Sequence, residues 1–277
     1  MRAYPRGWAL FSLALAGLLT GCAGTSYSAR IEARASHEGF ERATLQAGGF
    51  VLTRYLRISG APERLVVYLE GDAPAWPSDR VHVTREPPPL EPLALELATR
   101  DPAPAVAWLG RPCQPVAPPD AVGCEPSLWS QRRFSEPVVA ALGEGLDALR
   151  RQTGARRIEL IGYSGGGVLA ALLAARRDDV DRLVTVAAPL DLAAWLTLHG
   201  LGPLEAEDPA HMVAARLDAL PQHHLAGGRD RVVPPEILLG YGQQRPNARI
   251  ETLPGRRHGD WAQDWSERIA RIRGAGP

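Results

Sequence analysis

Residues 157–170 have the sequence RIELIGYSGGGVLA, and this stretch decides the fold. An apolar run typical of a buried strand is followed, after one serine, by an alanine- and leucine-rich run typical of a helix. Gly162 and Gly166 flank Ser164 in the pattern G-x-S-x-G, which marks a sharp strand-to-helix turn with small residues beside the serine. Amide groups at the start of the helix face any oxyanion formed there. Ser164 is therefore a candidate nucleophile.

Two later segments supply an acid and a base at the ends of strand-like runs. Residues 225–234, LAGGRDRVVP, combine a strand end, a glycine turn, Asp230 and a proline that starts a helix. Residues 250–261, IETLPGRRHGDW, combine a short strand with a loop that carries His258. Because a bare G-x-S-x-G pattern also occurs in flexible loops, these two segments are what favour a catalytic serine.

The order Ser, Asp, His, with each residue after a strand, resembles that of the α/β-hydrolase superfamily. The resemblance extends over roughly residues 40–273. It implies an α/β fold in which a mostly parallel sheet has helices on both faces and an antiparallel hairpin on its N-terminal side. It also implies a catalytic triad of Ser164, Asp230 and His258, which needs no cofactor and no metal.

Rival residues exist for two of these roles. Asp191 follows the preceding strand, an acid position in some hydrolases, whereas Asp260 and Asp264 are more simply explained as partners of a helix N-terminus. His223 and His224 fall within a strand and precede the acid in the chain, so the loop histidine is the preferred base.

The strand ending at Leu69 is followed by Glu70, Gly71 and Asp72, where the lipases of the superfamily have a His-Gly type motif. By the resemblance, this loop and the residue after the nucleophile form the oxyanion hole, with N–H donors from Gly165 and from Gly71 or its neighbours Asp72 and Ala73. The two acidic side chains either discourage anionic substrates or hold the loop by accepting backbone N–H bonds, and we favour the second role. Because this loop differs from the lipase motif, the substrate class stays open.

Other apolar runs predict the rest of the sheet. The Gly48-Gly49 pair in the middle of residues 40–59 predicts a hairpin of two edge strands. Helical spacing of apolar residues predicts an amphipathic helix at residues 135–152. Further buried strands are predicted at residues 65–69, 105–109 and 182–188.

Composition limits both the domain count and the chemistry. With 277 residues, 45% of them hydrophobic, the chain can bury one sizeable core, so residues 40–277 are predicted to form one domain. Within it, residues 189–220 are an apolar-rich insertion, either a lid over the pocket or an ordinary helical excursion. All 31 cationic residues are arginine, and the absence of lysine excludes Schiff-base chemistry and a P-loop.

The N-terminus has the features of an exported lipoprotein. Two arginines precede an apolar run at residues 8–19, which is short for a membrane span, and residues 19–22, LTGC, are similar to a lipobox. We predict a signal peptide over residues 1–21, lipidation of Cys22 and a flexible tether over residues 22–39. The alternatives are a secretory signal cleaved just after this cysteine and an uncleaved anchor. The expected location is the cell envelope, at the periplasmic face of a membrane.

Cys113 and Cys124 are the two cysteines that remain if Cys22 carries lipid. Both lie in a proline-rich segment, and an oxidising compartment favours a disulfide between them. Closing a loop of this size is worth roughly 3 kcal/mol in the chain-entropy model. No histidine or further cysteine stands near them at zinc-ligand spacing, so a metal site is disfavoured. Two small buried thiols are the alternative.

Together these features predict a serine hydrolase that cleaves a carboxylic ester or thioester. The expected partners are a small-molecule or lipid acyl ester and the membrane, reached through the lipid anchor. A net charge of zero argues against a nucleic-acid partner. Two alternatives stay open: an acyltransferase that uses the same triad, and a non-catalytic envelope-binding lipoprotein on a hydrolase scaffold.

Overall fold

Eight strands form one sheet in the order β1-β2-β4-β3-β5-β6-β7-β8. The structure is a computed structural model that describes residues 26–72, 91–116, 119–245 and 247–274. The strands are β1 Glu41–Ala47, β2 Phe50–Ile58, β3 Arg64–Leu69, β4 Ala105–Leu109, β5 Arg157–Tyr163, β6 Val180–Val186, β7 Gln222–Gly227 and β8 Ala248–Leu253.

The sheet has an antiparallel side and a parallel side. β1 and β2 form the predicted hairpin, in which Gly48 and Gly49 have φ of +56° and +82°, the left-handed region that glycine enters without strain. β2 is also antiparallel to β4, and every other neighbouring pair is parallel. The carboxyl ends of β3, β5, β6, β7 and β8 therefore meet at one edge of the sheet.

Helices cover both faces of the sheet. Apolar side chains of the buried strands alternate between two hydrophobic clusters, so that Val67 packs towards one face and Val66 towards the other. Five helices contribute to the first cluster and three to the second, which confirms the predicted fold class. The first group is α3 Glu136–Thr153, α4 Gly165–Arg176, α5 Leu192–His199, α6 Ala215–Ala219 and α7 Pro235–Gln244. The second is α1 Tyr27–His37, α2 Leu93–Thr99 and α8 Trp265–Ile272.

The predicted insertion at residues 189–220 contains α5 and α6. Ala210, Leu217 and Leu220 from the second half of the segment are buried in the first cluster. Leu190 and Leu192 from the first half are buried there too, but the rest of α5 is half-buried or exposed. The segment thus fills part of the sheet face and leaves α5 at the surface.

Helix α1 corrects the prediction of a flexible tether over residues 22–39. Residues 27–37 are helical because Ile31 and Ala35, one turn apart, are buried against α2 and α8. The Tyr27 hydroxyl adds a hydrogen bond of 2.7 Å to Glu96 of α2. The predicted signal peptide and Cys22 lie outside the described residues. Across the part of the chain that is described, every helix is too short or too polar to cross a membrane.

A disulfide closes one loop, and an ion-pair cluster connects segments that are far apart in the chain. Cys113 and Cys124 are joined by a disulfide, as predicted. On the other side of the sheet, Arg273 after α8 lies 2.7 Å from the buried carboxylate of Asp101 and 3.0 Å from that of Glu159. One arginine thereby offsets two buried charges.

Candidate active site

Ser164 occupies the turn between β5 and α4. Its φ of +48° and ψ of −124° are strained for a residue with a side chain. The turn is fixed from both sides, because the Ser164 N–H donates to the Val186 carbonyl at 2.8 Å and the Ser164 carbonyl accepts from the Gly167 N–H at 2.9 Å. This geometry holds the hydroxyl away from the helix axis, as the G-x-S-x-G pattern predicts.

The glycines of this turn are required by contact. A Cβ on Gly162 would lie 2.3 Å from the Gly166 carbonyl oxygen, and a Cβ on Gly166 would lie 2.3 Å from the Leu69 carbonyl oxygen. Both neighbours are backbone atoms, which cannot rotate away as a side chain can. Gly162 therefore lets β5 approach α4, and Gly166 lets α4 approach the end of β3.

The structure brings Ser164, His258 and Asp230 together. The His258 Nε2 lies 3.2 Å from the Ser164 hydroxyl, and the His258 Nδ1 lies 2.8 Å from an Asp230 carboxylate oxygen. With the proton on Nδ1, the ring donates to Asp230 and accepts from Ser164. The backbone carbonyl of His258 accepts from the Trp261 indole at 2.7 Å, which fixes the loop after β8.

Asp230 is held for this contact by its second oxygen. That oxygen accepts the N–H groups of Val232 and Val233 at 2.8 and 2.9 Å, and the residue is 4% exposed. The rival Asp191 instead accepts the Ala194 N–H at 2.9 Å and so caps α5. The other rivals pair with arginines, Asp260 with Arg257 at 2.9 Å and Asp264 with Arg268 at 2.7 Å.

The two strand histidines have structural partners. His224 is fully buried and hydrogen-bonded to the Thr185 hydroxyl at 2.8 Å, and burial lowers the pKa of His224 to about 3. His223 lies 3.0 Å from the Glu251 carboxylate, and burial lowers its pKa despite this partner. Both are held within β7 in their neutral form at neutral pH.

The fold of the chain can be compared with those of known proteins. No protein-family model matches the sequence, and a search of characterised proteins finds no match at the sequence level. Solved structures do match: the chain is similar to Est1E from Butyrivibrio proteoclasticus with a TM-score of 0.57 and 15% identity, over 84% of this chain and 99% of that one. It is similar to the esterase Pf2001 of Pyrococcus furiosus with a TM-score of 0.56 and 14% identity, over 86% and 94%.

This chain has the α/β-hydrolase fold. A third similar structure, a puromycin-hydrolyzing peptidase of Mycobacterium tuberculosis, matches with a TM-score of 0.59 and 15% identity, over 86% of this chain and 40% of that one. At such identities the likeness concerns the fold, and esterases and a peptidase share it. The fold therefore does not determine the reaction, which depends on the residues of the site.

In this α/β-hydrolase fold the loop after β3 is held by Glu70. Its buried carboxylate accepts N–H bonds from Gly71, Ala94 and Leu95 and one from the Trp108 indole, at 3.0 to 3.3 Å. Burial raises the pKa of Glu70 to about 7 against the effect of these four donors. Glu70 thus has the structural role that the sequence analysis favoured.

Asp72 is held by two arginines that the sequence analysis missed. Its carboxylate forms an ion pair with Arg111 and lies 2.9 Å from the Arg133 Nε. Desolvation acts to raise the pKa of Asp72, but the two guanidiniums outweigh it and hold the pKa below its usual range. The same carboxylate contacts the start of α4, because a Cβ on Gly165 would lie 2.4 Å from an Asp72 oxygen. We call Asp72, Arg111 and Arg133 the arginine clamp.

The predicted oxyanion donors differ in their availability. Gly165 is the first residue of α4, where N–H groups lack partners within the helix. The Gly71 N–H donates to the Glu70 carboxylate at 3.2 Å, so this amide is engaged inside the loop. Of the two predicted loop donors that the structure describes, Asp72 is the better candidate, and Ala73 lies outside the described residues.

A cavity of about 1110 Å³ opens above Ser164 and His258. One part of its wall is apolar and comes from α5 and the residues that follow it. Another part comes from α1, α2 and the segment just before α2, and includes Tyr27, Glu91 and Glu96. The apolar lining residues are Leu93, Trp129, Trp195, Leu196, Leu201, Pro203, Leu204 and Val232.

Among the described residues, one group has the spacing of metal ligands, namely Asp191, Asp208 and His211, whose ligand atoms lie within 4.8 Å of one another. Asp208 already accepts the N–H groups of Leu192, Ala193 and Ala210. Because Asp191 also caps α5, the two carboxylates act as helix caps, and the group lies outside the cavity lining.

Proposed function

We propose that the protein is a serine hydrolase that cleaves a carboxylic ester or thioester through an acyl-enzyme on Ser164. The observation that carries this proposal is the chain of contacts from Asp230 through His258 to Ser164 on the floor of a large cavity. Such a chain activates a hydroxyl that is otherwise a poor nucleophile. The fold supports the proposal, because it places the three residues at the carboxyl ends of strands.

The reaction proceeds in two halves. His258 Nε2 takes the Ser164 proton as the oxygen attacks the acyl carbon, and Asp230 stabilises the imidazolium and keeps Nδ1 protonated. Collapse of the tetrahedral intermediate breaks the acyl bond, and His258 gives the proton to the departing alcohol or thiol. Water then enters, gives a proton to His258, attacks the acyl-enzyme and releases the acid, while Ser164 regains its proton.

Two backbone N–H groups hold the oxyanion in this proposal, those of Gly165 and Asp72. Each such donor is worth on the order of 3 kcal/mol in the transition state. The arginine clamp supports this role, because it ties the Asp72 side chain to Arg111 and Arg133 and so restrains the peptide that donates.

The two alternatives depart from hydrolysis in different ways. An acyltransferase uses the same triad and passes the acyl group to an alcohol instead of water. A non-catalytic binding lipoprotein does not explain the strained backbone at Ser164, because backbone strain of this kind is concentrated at functional sites. We therefore retain hydrolysis as the main function. We also propose that Cys22 is lipidated and that the protein lies at the periplasmic face of a membrane.

A fluorophosphonate probe tests the proposed function. We expect it to label the protein at Ser164, to leave Ser164→Ala unlabelled and to label His258→Ala more slowly by orders of magnitude. Ser127→Ala is the matched control, because Ser127 is a surface serine that bonds Glu125 outside the cavity lining. Labelling of Ser164→Ala at the wild-type rate would refute the assignment. A panel of esters with and without an added alcohol then separates hydrolysis from acyl transfer.

A further inference from the structure

We propose that the mouth of the cavity lies on the membrane surface and that the substrate is an acyl ester of a membrane amphiphile. The proposal rests on the proposed function and on the lipid at Cys22, and it goes further by naming the substrate class and the surface that presents it. Two parts of the cavity rim carry it, one at α1 and one at α5.

The first observation is the length of chain between the anchor and the cavity. Tyr27 and Ser28, at the start of α1, line the cavity, and Tyr27 is the fifth residue after Cys22. Five residues span at most about 18 Å, even fully extended. α1 cannot lengthen this connection without losing the burial of Ile31 and Ala35 and the bond from Tyr27 to Glu96. The rim at α1 therefore stays within about 18 Å of the lipid.

The second observation is the composition of α5. Six of its eight residues, LAAWLTLH, are apolar, yet Leu192 is the buried one. Leu198 on α5 is 56% exposed, and two apolar residues of the cavity wall nearby, Leu201 and Val232, are 43% and 45% exposed. Exposed apolar side chains grouped in this way are typical of a surface that contacts a membrane or another protein, and the nearby lipid anchor favours the membrane.

These two observations determine the same orientation. The lipid anchor holds the α1 part of the rim near the bilayer. Transfer of the exposed apolar side chains of α5 from water into the bilayer lowers the free energy. An ester that stays in the bilayer then reaches Ser164 along the apolar wall of Trp195, Leu196 and Leu204 without crossing water. The cavity takes the acyl group, and the released acid returns to the lipid.

The first experiment uses the full-length lipidated protein in vesicles of phosphatidylethanolamine and phosphatidylglycerol. Two substrates are compared, water-soluble p-nitrophenyl acetate and a fluorogenic long-chain acyl glycerol held in the bilayer. Leu198→Asp puts a charge on α5 outside the cavity lining. We expect it to lower turnover of the bilayer ester about tenfold and to leave turnover of the soluble ester within about twofold.

Ile58→Asp is the matched control. Ile58 is 40% exposed and ends β2 opposite Ala105, the first residue of β4, so it lies at the edge of the sheet away from Ser164. The same apolar-to-acidic change there should leave the turnover of both substrates unaffected. An equal loss in Leu198→Asp and Ile58→Asp would overturn the role of α5.

The second experiment changes the reach of the anchor. A helical spacer of about 30 residues between Cys22 and Ser26 lifts the rim by about 45 Å, whereas a glycine-serine spacer of equal length lets the domain return to the bilayer. We expect the helical spacer to lower turnover of the bilayer ester and the flexible spacer to preserve most of it. Equal turnover with both spacers, or a mature chain without lipid on Cys22, would overturn the proposal.

The outcomes also separate this inference from the proposed function. Failure to hydrolyse the soluble ester, with no probe on Ser164, would refute the hydrolase itself. Normal hydrolysis of the soluble ester, with no effect of Leu198→Asp or of the helical spacer on the bilayer ester, would refute only the membrane orientation. If Leu198→Asp instead converts a dimer to a monomer in sedimentation and leaves the bilayer ester unaffected, a second copy of the chain covers α5.

Discussion

Helices α4 and α5 are both rich in apolar residues, but they differ in what surrounds them. Ten of the twelve residues of α4 are buried, between the sheet, α3 and α6, whereas α5 has Leu192 as its buried residue. α4 begins at the nucleophile and α5 forms part of the cavity wall. Similar composition therefore serves rigid packing in one helix and a contact surface in the other. Hydrophobicity alone does not distinguish them, and only the neighbours in the fold do.

The largest expected effect comes from a comparison of two aspartates, one near the start of α4 and one at the start of α5. Asp230 holds His258 beside the start of α4, and Asp191 caps α5. Asp230→Asn should lower kcat by a factor on the order of 10⁴, because the imidazole then adopts the wrong tautomer. Asp191→Asn keeps a capping oxygen and should change kcat by less than about twofold. Steady-state kinetics on a soluble ester measure both, and the reverse pattern would move the acid to Asp191.

The next effect concerns packing, and it compares a glycine of the nucleophile turn with one beyond α5. In Gly162→Ala the new Cβ meets the Gly166 carbonyl oxygen at 2.3 Å, so we expect a loss of about 3 kcal/mol in the free energy of unfolding. Gly202 has no atom within 4 Å of its added Cβ, and Gly202→Ala should stay within about 0.5 kcal/mol of wild type. Urea denaturation measures the free energy of unfolding of both variants. Equal stability of the two variants would mean that the turn is less tightly packed than described.

The smallest expected effect concerns Arg133, which lies between the two regions. Its guanidinium pairs with Asp72 beside the start of α4 and lies 5.9 Å from the Trp195 ring of α5. Arg133→Ala should lower kcat roughly 10- to 100-fold with a smaller change in KM, because the oxyanion loop loses a restraint. Arg133→Lys should recover part of the loss.

Arg132→Ala is the control for that experiment. Arg132 is the preceding residue and pairs at the surface with Glu125, so its loss should be almost silent. If both alanine variants lose the same activity, the effect belongs to the loop as a whole and not to the arginine clamp.

Much of the sheet and of the candidate site is predictable from the sequence because its signals are local. Continuous apolar runs predict β3 to β6 within a few residues, and Gly48-Gly49 predicts the first hairpin. Ser164, Asp230 and His258 each follow a strand, so the parallel topology brings them to one edge of the sheet. Local pattern and topology together are sufficient for these residues.

The arginine clamp has no such local signal. Arg111 lies 39 residues from Asp72 in the chain, and Arg133 lies a further 22 residues on. All cationic residues of this protein are arginine, so the residue type alone does not mark these two among 31. α1 was missed for a different reason, because its two buried residues are recognisable only beside α2 and α8.

Arg273 couples two parts of the fold. It pairs with Asp101 and Glu159, which lie 172 and 114 residues earlier in the chain, and both carboxylates are buried. An unpaired buried charge is strongly unfavourable, so β5, which carries Glu159, is buried at low cost only when Arg273 is in place. Burial of this strand of the sheet is therefore coupled to docking of the segment that follows α8.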